Sequence, residues 1–170
     1  RYSSIIGTDI SQFTTLAASL PSIKLDSVFN ALDTCAKAHV TLETDGNAPI
    51  LEMGVCWNIE QEPTCEYSRN TTNDNVATLS IISLKPNTQY YVRAYAKNKV
   101  GIAYSESLAF LTLDVPKVKT NDITNIQITS ALLNGVLIFN GNDTATLKGF
   151  CWSTNPQPTI NNNYSQVTTD

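Results

Sequence analysis

From residue 35 onward, apolar and polar positions alternate with period two. In CAKAHVTLET (35–44), Ala36, Ala38, Val40 and Leu42 share one face, while Lys37, His39 and Thr41 share the other, which reads as a strand with one buried side. TDGNAP (44–49) supplies the Asp-Gly and Asn chemistry of a tight connection. In ILEMGVCWNI (50–59), Val55 and Trp57 point one way and Cys56 the other. Further strands are expected at 77–82, 88–98 and 101–113, and no segment carries a helical period. The pattern predicts an all-β protein.

The alternation repeats. GVCWNIEQEPT (54–64) recurs as GFCWSTNPQPT (149–159), and the same offset of 95 residues extends back without a gap to Pro21 and Pro116. Thirteen of the 45 positions paired in this way are identical, among them Lys24/Lys119, Asn30/Asn125, Ala36/Ala131, Leu42/Leu137 and Gly46/Gly141. A period near 95 is too long for a solenoid unit and matches one whole β-sandwich domain. The expected organisation is therefore the last strand of a preceding sandwich at 1–17, a complete domain at 21–113, and the first half of a following domain at 116–170.

The stretch LKPNTQYYVRAYAKNKVG (84–101) resembles the fibronectin type III family, through Leu84, Pro86, Thr88, Tyr90, Val92, Ala94, Ala96, Asn98 and Gly101, with Asn87 where the family usually has Gly. The Trp on the GVCW strand departs from the commonest family pattern. That strand is similar to a repeat variant of large surface proteins of Bacteroidetes bacteria, with its Pro-Thr turn and its Tyr-Tyr-Val-Arg-Ala-Tyr strand. The resemblance implies tandem immunoglobulin-like sandwiches, with Tyr90 as the buried ring of a tyrosine corner. It implies fold more than function, because such sandwiches serve many unrelated tasks.

Composition narrows the partners. The formal charge of −4 supplies no basic patch for phosphates, so nucleic acid is not an expected partner. No apolar run approaches the roughly 20 residues that span a bilayer. No cofactor or metal is expected, since no Cys-x-x-Cys pair, His cluster, Gly-rich phosphate loop or calcium loop is present. His39 is the lone His and falls on an outward position, while Glu43, Asp45 and Glu52 read as solvated charges. No catalytic residues are assigned, and the chain is not expected to be an enzyme.

Four residue sets remain as candidates. Trp57 and Trp152 occupy equivalent strand positions and are expected in the core together with Tyr90. Cys56 and Cys151 are equivalent and read as inert, half-buried thiols. Cys35 and Cys65 are replaced together in the second copy, by Ser130 and Ile160, and are expected to close a disulfide at one pole of the sandwich. Tyr91, Arg93 and Tyr95 alternate with core positions and form a possible contact ridge for a glycan or a protein, with cross-strand packing as the simpler reading. Sequons at Asn70, Asn142 and Asn163 read as incidental, and DSV (26–28) and DTA (143–145) resemble a short O-glycosylation signal.

The expected function is a non-catalytic structural or adhesive spacer of a multidomain bacterial protein at the cell surface or outside the cell. Its first partners are neighbouring domains of the same chain, with a glycan or surface protein as a further contact. The short, Pro-bearing connections ASLPS (18–22) and LDVPK (113–117) favour a semi-rigid rod. Two alternatives are a carbohydrate-binding accessory module of a secreted polysaccharide-degrading enzyme and a fibre subunit completed by a donor strand.

Overall fold

The computed structural model describes residues 16–145 and 147–168. The strand expected at 1–17 lies almost wholly outside the described residues. Residues 22–111 carry eight strands: β1 (Ser22–Phe29), β2 (Ala36–Thr44), β3 (Glu52–Asn58), β4 (Ser68–Thr72), β5 (Val76–Ile81), β6 (Gln89–Lys97), β7 (Ile102–Tyr104) and β8 (Leu108–Leu111). One antiparallel sheet has the order β1-β2-β5, and the other runs β4-β3-β6-β7 with β8 also paired to β6. No helix occurs among the described residues. The protein is all-β.

The two sheets face each other across one apolar core. β1 and β2 contribute Ile23, Leu25, Ala36, Ala38 and Val40, and β5 adds Leu79 and Ile81. From the opposite sheet come Met53, Val55 and Trp57 of β3 and Tyr90, Val92, Ala94 and Ala96 of β6. Alternation therefore has its expected physical cause, since every second residue of a strand meets the opposing sheet.

Two strands escaped the period-two reading. In β1 the register shifts between Leu25 and Ser27, so Val28 returns to the core side out of phase with Ile23 and Leu25. That bulge interrupts the alternation. β4 (SRNTT) is an edge strand without apolar side chains, so it carries no apolar signal. The segment expected as one strand at 101–113 is broken at Ser105, whose hydroxyl accepts the Ala94 N–H at 3.0 Å, leaving β7 and β8 as separate partners of β6.

Tyr90 is buried, and its hydroxyl accepts the Lys85 N–H at 3.1 Å, which ties the turn before β6 to the core. Asn98 is also buried. Its amide donates to the carbonyls of Ser19 (2.7 Å) and Asp45 (2.9 Å), while its oxygen accepts the Val100 N–H at 2.8 Å. Residues 19–20 are thereby fixed against the end of β6.

Beyond residue 113 lie two antiparallel pairs, β9 (Lys117–Thr120) with β10 (Gly135–Phe139), and β11 (Leu147–Trp152) with β12 (Asn163–Thr168). Their backbone repeats features of the first part at the same offset of 95. Left-handed residues occur at Asn30 and Asn125, Gly46 and Gly141, Asn47 and Asn142, and Glu62 and Gln157. The Cys56 thiol donates to the Pro63 carbonyl and the Cys151 thiol to the Pro158 carbonyl. Burial does not repeat, because among the described residues β11 pairs only with β12, whereas β3 is flanked by β4 and β6.

Candidate functional site

The outer face of the larger sheet, which carries the Tyr91-Arg93-Tyr95 ridge, is organised by register. Directly opposed residues of an antiparallel pair share a face, with Cβ atoms roughly 4.5–5.5 Å apart. One row across the sheet is Arg69, Cys56, Arg93, and the next is Thr71, Gly54, Tyr95, Tyr104. Gly54 is required where β3 and β4 approach, since a Cβ there would lie 2.0 Å from the Asn70 carbonyl oxygen.

Little of the ridge is open. Tyr95 is only 1% exposed, Arg93 and Tyr91 are half-buried, and the segment 59–67 closes over the face with Pro63 fully buried. Tyr95 sits beside Tyr104, with ring centroids 6.3 Å apart, and its hydroxyl donates to Glu52. Arg93 stacks 4.7 Å over the Tyr104 ring and donates from Nε to the Ser105 carbonyl at 2.8 Å. Its contact with exposed Glu62 (3.9 Å) is a weak surface pair. Tyr91 keeps an accessible edge, where its hydroxyl accepts from the amide of Gln89 at 3.0 Å. The face is a small second core with polar margins, and a flat ligand platform is not formed.

Burial sets the acid–base character of this layer. It is the main cause that pushes the Cys56 thiol up to about 12, with Cys65 nearby acting in the same direction and Arg93 opposing. It also raises the Tyr95 hydroxyl, helped by the hydrogen bond to Glu52. Neither group is ionised at neutral pH.

The Cys35–Cys65 disulfide expected from the sequence is not formed, as all four cysteines are free thiols. Cys35 precedes inward-facing Ala36 and shares the parity of outward Lys37, so it belongs to the outside of the smaller sheet. Cys65 covers the outside of the larger sheet, where its sulfur accepts from the Tyr104 hydroxyl at 3.3 Å. Two sheets packed about 10 Å apart separate the pair.

Of the two tryptophans, Trp57 is 5% exposed between Ser68 and Val92. Trp152, expected in a core, is 45% exposed, because among the described residues its strand has no partner on the flank where β6 lies beside Trp57. Val136, Ile138, Leu147 and Tyr164 are likewise exposed on the two hairpins. Between the hairpins runs a mainly apolar groove of about 450 Å³ lined by Val118, Leu137, Leu147 and Phe150, which sequence reasoning missed. Exposed apolar positions in a strand look the same in sequence as buried ones.

His39 bonds Thr78 through Nδ1 at 3.0 Å. Among the described residues no group of three or more His, Cys, Asp or Glu is placed to hold a metal. No described helix is long and apolar enough to cross a membrane.

No family model matches the chain. A stretch of 92 residues is 30% identical to Tyrosine-protein phosphatase 69D of Drosophila melanogaster, covering 50% of this chain and 6% of that protein. The chain thus spans a small part of this curated relative, too little to carry its activity across. Among solved structures, the sensor domain of the anti-sigma factor RsgI4 in Pseudobacteroides cellulosolvens aligns with a TM-score of 0.41 and 17% identity, over 56% of this chain and 76% of that one.

Proposed function

We propose that the chain is a segment of tandem fibronectin type III-like sandwich repeats, serving as a non-catalytic spacer in a multidomain cell-surface or secreted protein of the Bacteroidetes kind. One observation carries the reading. The residue entering each copy is pinned to the same left-handed glycine turn, with the Ser19 N–H on the Gly46 carbonyl at 2.8 Å and the Asp114 N–H on the Gly141 carbonyl at 3.1 Å. Both glycines leave no room for a side chain, since a Cβ would lie 2.3 Å from the Ser19 oxygen and 2.4 Å from the Asp114 oxygen. A connection pinned in this way, with Pro116 inside it, resists bending. Neighbouring domains of the same chain are then its main partners. A structural or adhesive role needs such fixed geometry more than it needs a pocket.

Electron–electron resonance between spin labels carried on non-natural residues at exposed Lys99 and Asn155 tests the proposal. A spacer gives one narrow distance distribution that broadens in Gly141→Ala. A broad distribution in the unaltered chain sinks the reading. The carbohydrate-binding alternative has less support, because Tyr95 and most of Arg93 are covered. Glycan-array binding abolished by Tyr91→Ala would restore it. The fibre-subunit alternative draws on the exposed apolar strands of β10 and β11, and concentration-dependent assembly in sedimentation would favour it.

A further inference from the structure

Cys65 lies in the segment that covers the Cys56 side of the larger sheet. The sheet row beneath is Arg69, Cys56, Arg93, and each flanking arginine engages the surroundings of Cys65. Arg69 donates from Nη1 to the Cys65 carbonyl at 2.6 Å. On the other side, Arg93 stacks on Tyr104, whose hydroxyl accepts the Cys65 N–H at 3.2 Å and donates to the Cys65 sulfur at 3.3 Å. The Cys56 thiol, 0% exposed, points up from the sheet to the carbonyl of Pro63, two residues before Cys65. Both sulfurs therefore occupy the layer between the sheet and its covering segment.

We infer that Cys56 and Cys65 are an oxidisable dithiol, a site for exchange with small-molecule disulfides that staples residues 59–67 onto the sheet. Cys65, the half-buried member, is reached first. Its sulfur attacks the small disulfide, whose S–S bond breaks, releasing one small thiol and leaving a mixed disulfide on Cys65. The Cys56 thiol then attacks the Cys65 sulfur, breaking the mixed disulfide, and its proton passes to the departing small thiolate, which leaves as the second small thiol. Two protein thiols give up two electrons and two protons, and the small disulfide takes them up. The second copy has Ile160 in place of Cys65, so Cys151 has no such partner.

The test incubates the fully reduced chain with oxidised glutathione, without denaturant, and maps its peptides by mass spectrometry under non-reducing conditions. A cross-linked pair containing Cys56 and Cys65, lighter by two hydrogens than the separate peptides, is the expected product. It should survive Cys35→Ser and disappear in Cys65→Ser, with no glutathione adduct on Cys56 in either variant. Glutathione that stays on Cys65 while Cys56 remains alkylatable after denaturation would overturn the inference, as would a Cys35–Cys65 cross-link in the folded chain.

Discussion

Replacing Trp57 by Ala separates the two indoles most sharply. An aromatic side chain of this size buries about 150–250 Å², and Trp57 is 5% exposed among Val55, Val92 and the facing sheet. At about 25 cal/mol per Å², the lost transfer energy alone is about 4–6 kcal/mol, in line with the 3–5 kcal/mol typical of large core aromatics. Val92, fully buried in the same cluster, cannot shift inward without leaving β3, so the cavity closes only in part. Urea melts followed by far-ultraviolet circular dichroism should move to a lower midpoint by about 2 M or more. Trp152→Ala should leave the main transition within about 1 kcal/mol, because its hairpin contributes nothing to the core cluster. Equal losses at the two positions, or a Trp57 loss below about 1 kcal/mol, would refute the assignment of the core to the first sandwich.

Asn98→Ala should cost about 2–3 kcal/mol, since it removes the three hydrogen bonds by which the buried amide holds the Ser19 and Asp45 carbonyls and the Val100 N–H, and a melt of the variant checks it. Gly46→Ala should lose about 2–3 kcal/mol through its φ of +71° and the clash with the Ser19 carbonyl, and Gly46→Asn, a residue tolerant of left-handed backbone, should recover none of the clash. Alkaline stability should fall. Cys56 and Tyr95 hold their protons more tightly folded than unfolded, so their contribution is complete below about pH 9 and drains away as pH rises toward 12, which urea midpoints at pH 8, 9.5 and 10.5 would show. Bridging Cys56 to Cys65 closes a short loop worth about 2.5 kcal/mol of unfolded-state entropy, visible as a higher thermal midpoint that reductant reverses.

The fold class was legible because period-two alternation is the direct imprint of a sheet with one wet side. Ala36, Ala38 and Val40 read inward in sequence and are buried in the structure. The bulge in β1 and the polar edge strand β4 were not legible, since one breaks the period and the other has no apolar residue to mark it. Trp152 shows the other boundary of the method. Its local sequence is nearly that of Trp57, but burial comes from the strand next door, and no local pattern reports whether that strand is present.

The outer face illustrates the same rule in reverse. Outward parity places Cys56, Arg93 and Tyr95 away from the core, but parity alone does not report what lies over that face. What covers them is an irregular segment whose only cue is a Pro-Thr pair, and whose position is set by a local contact from Arg69 and a long-range one from Tyr104. Those contacts also decide the cysteine chemistry. Joint replacement in the second copy and a shared pole suggest that Cys35 and Cys65 meet, but a bridge requires a shared face, and the two lie on the outsides of opposite sheets. Cys56 meets that requirement although it recurs as Cys151, and only the register of three strands reveals it.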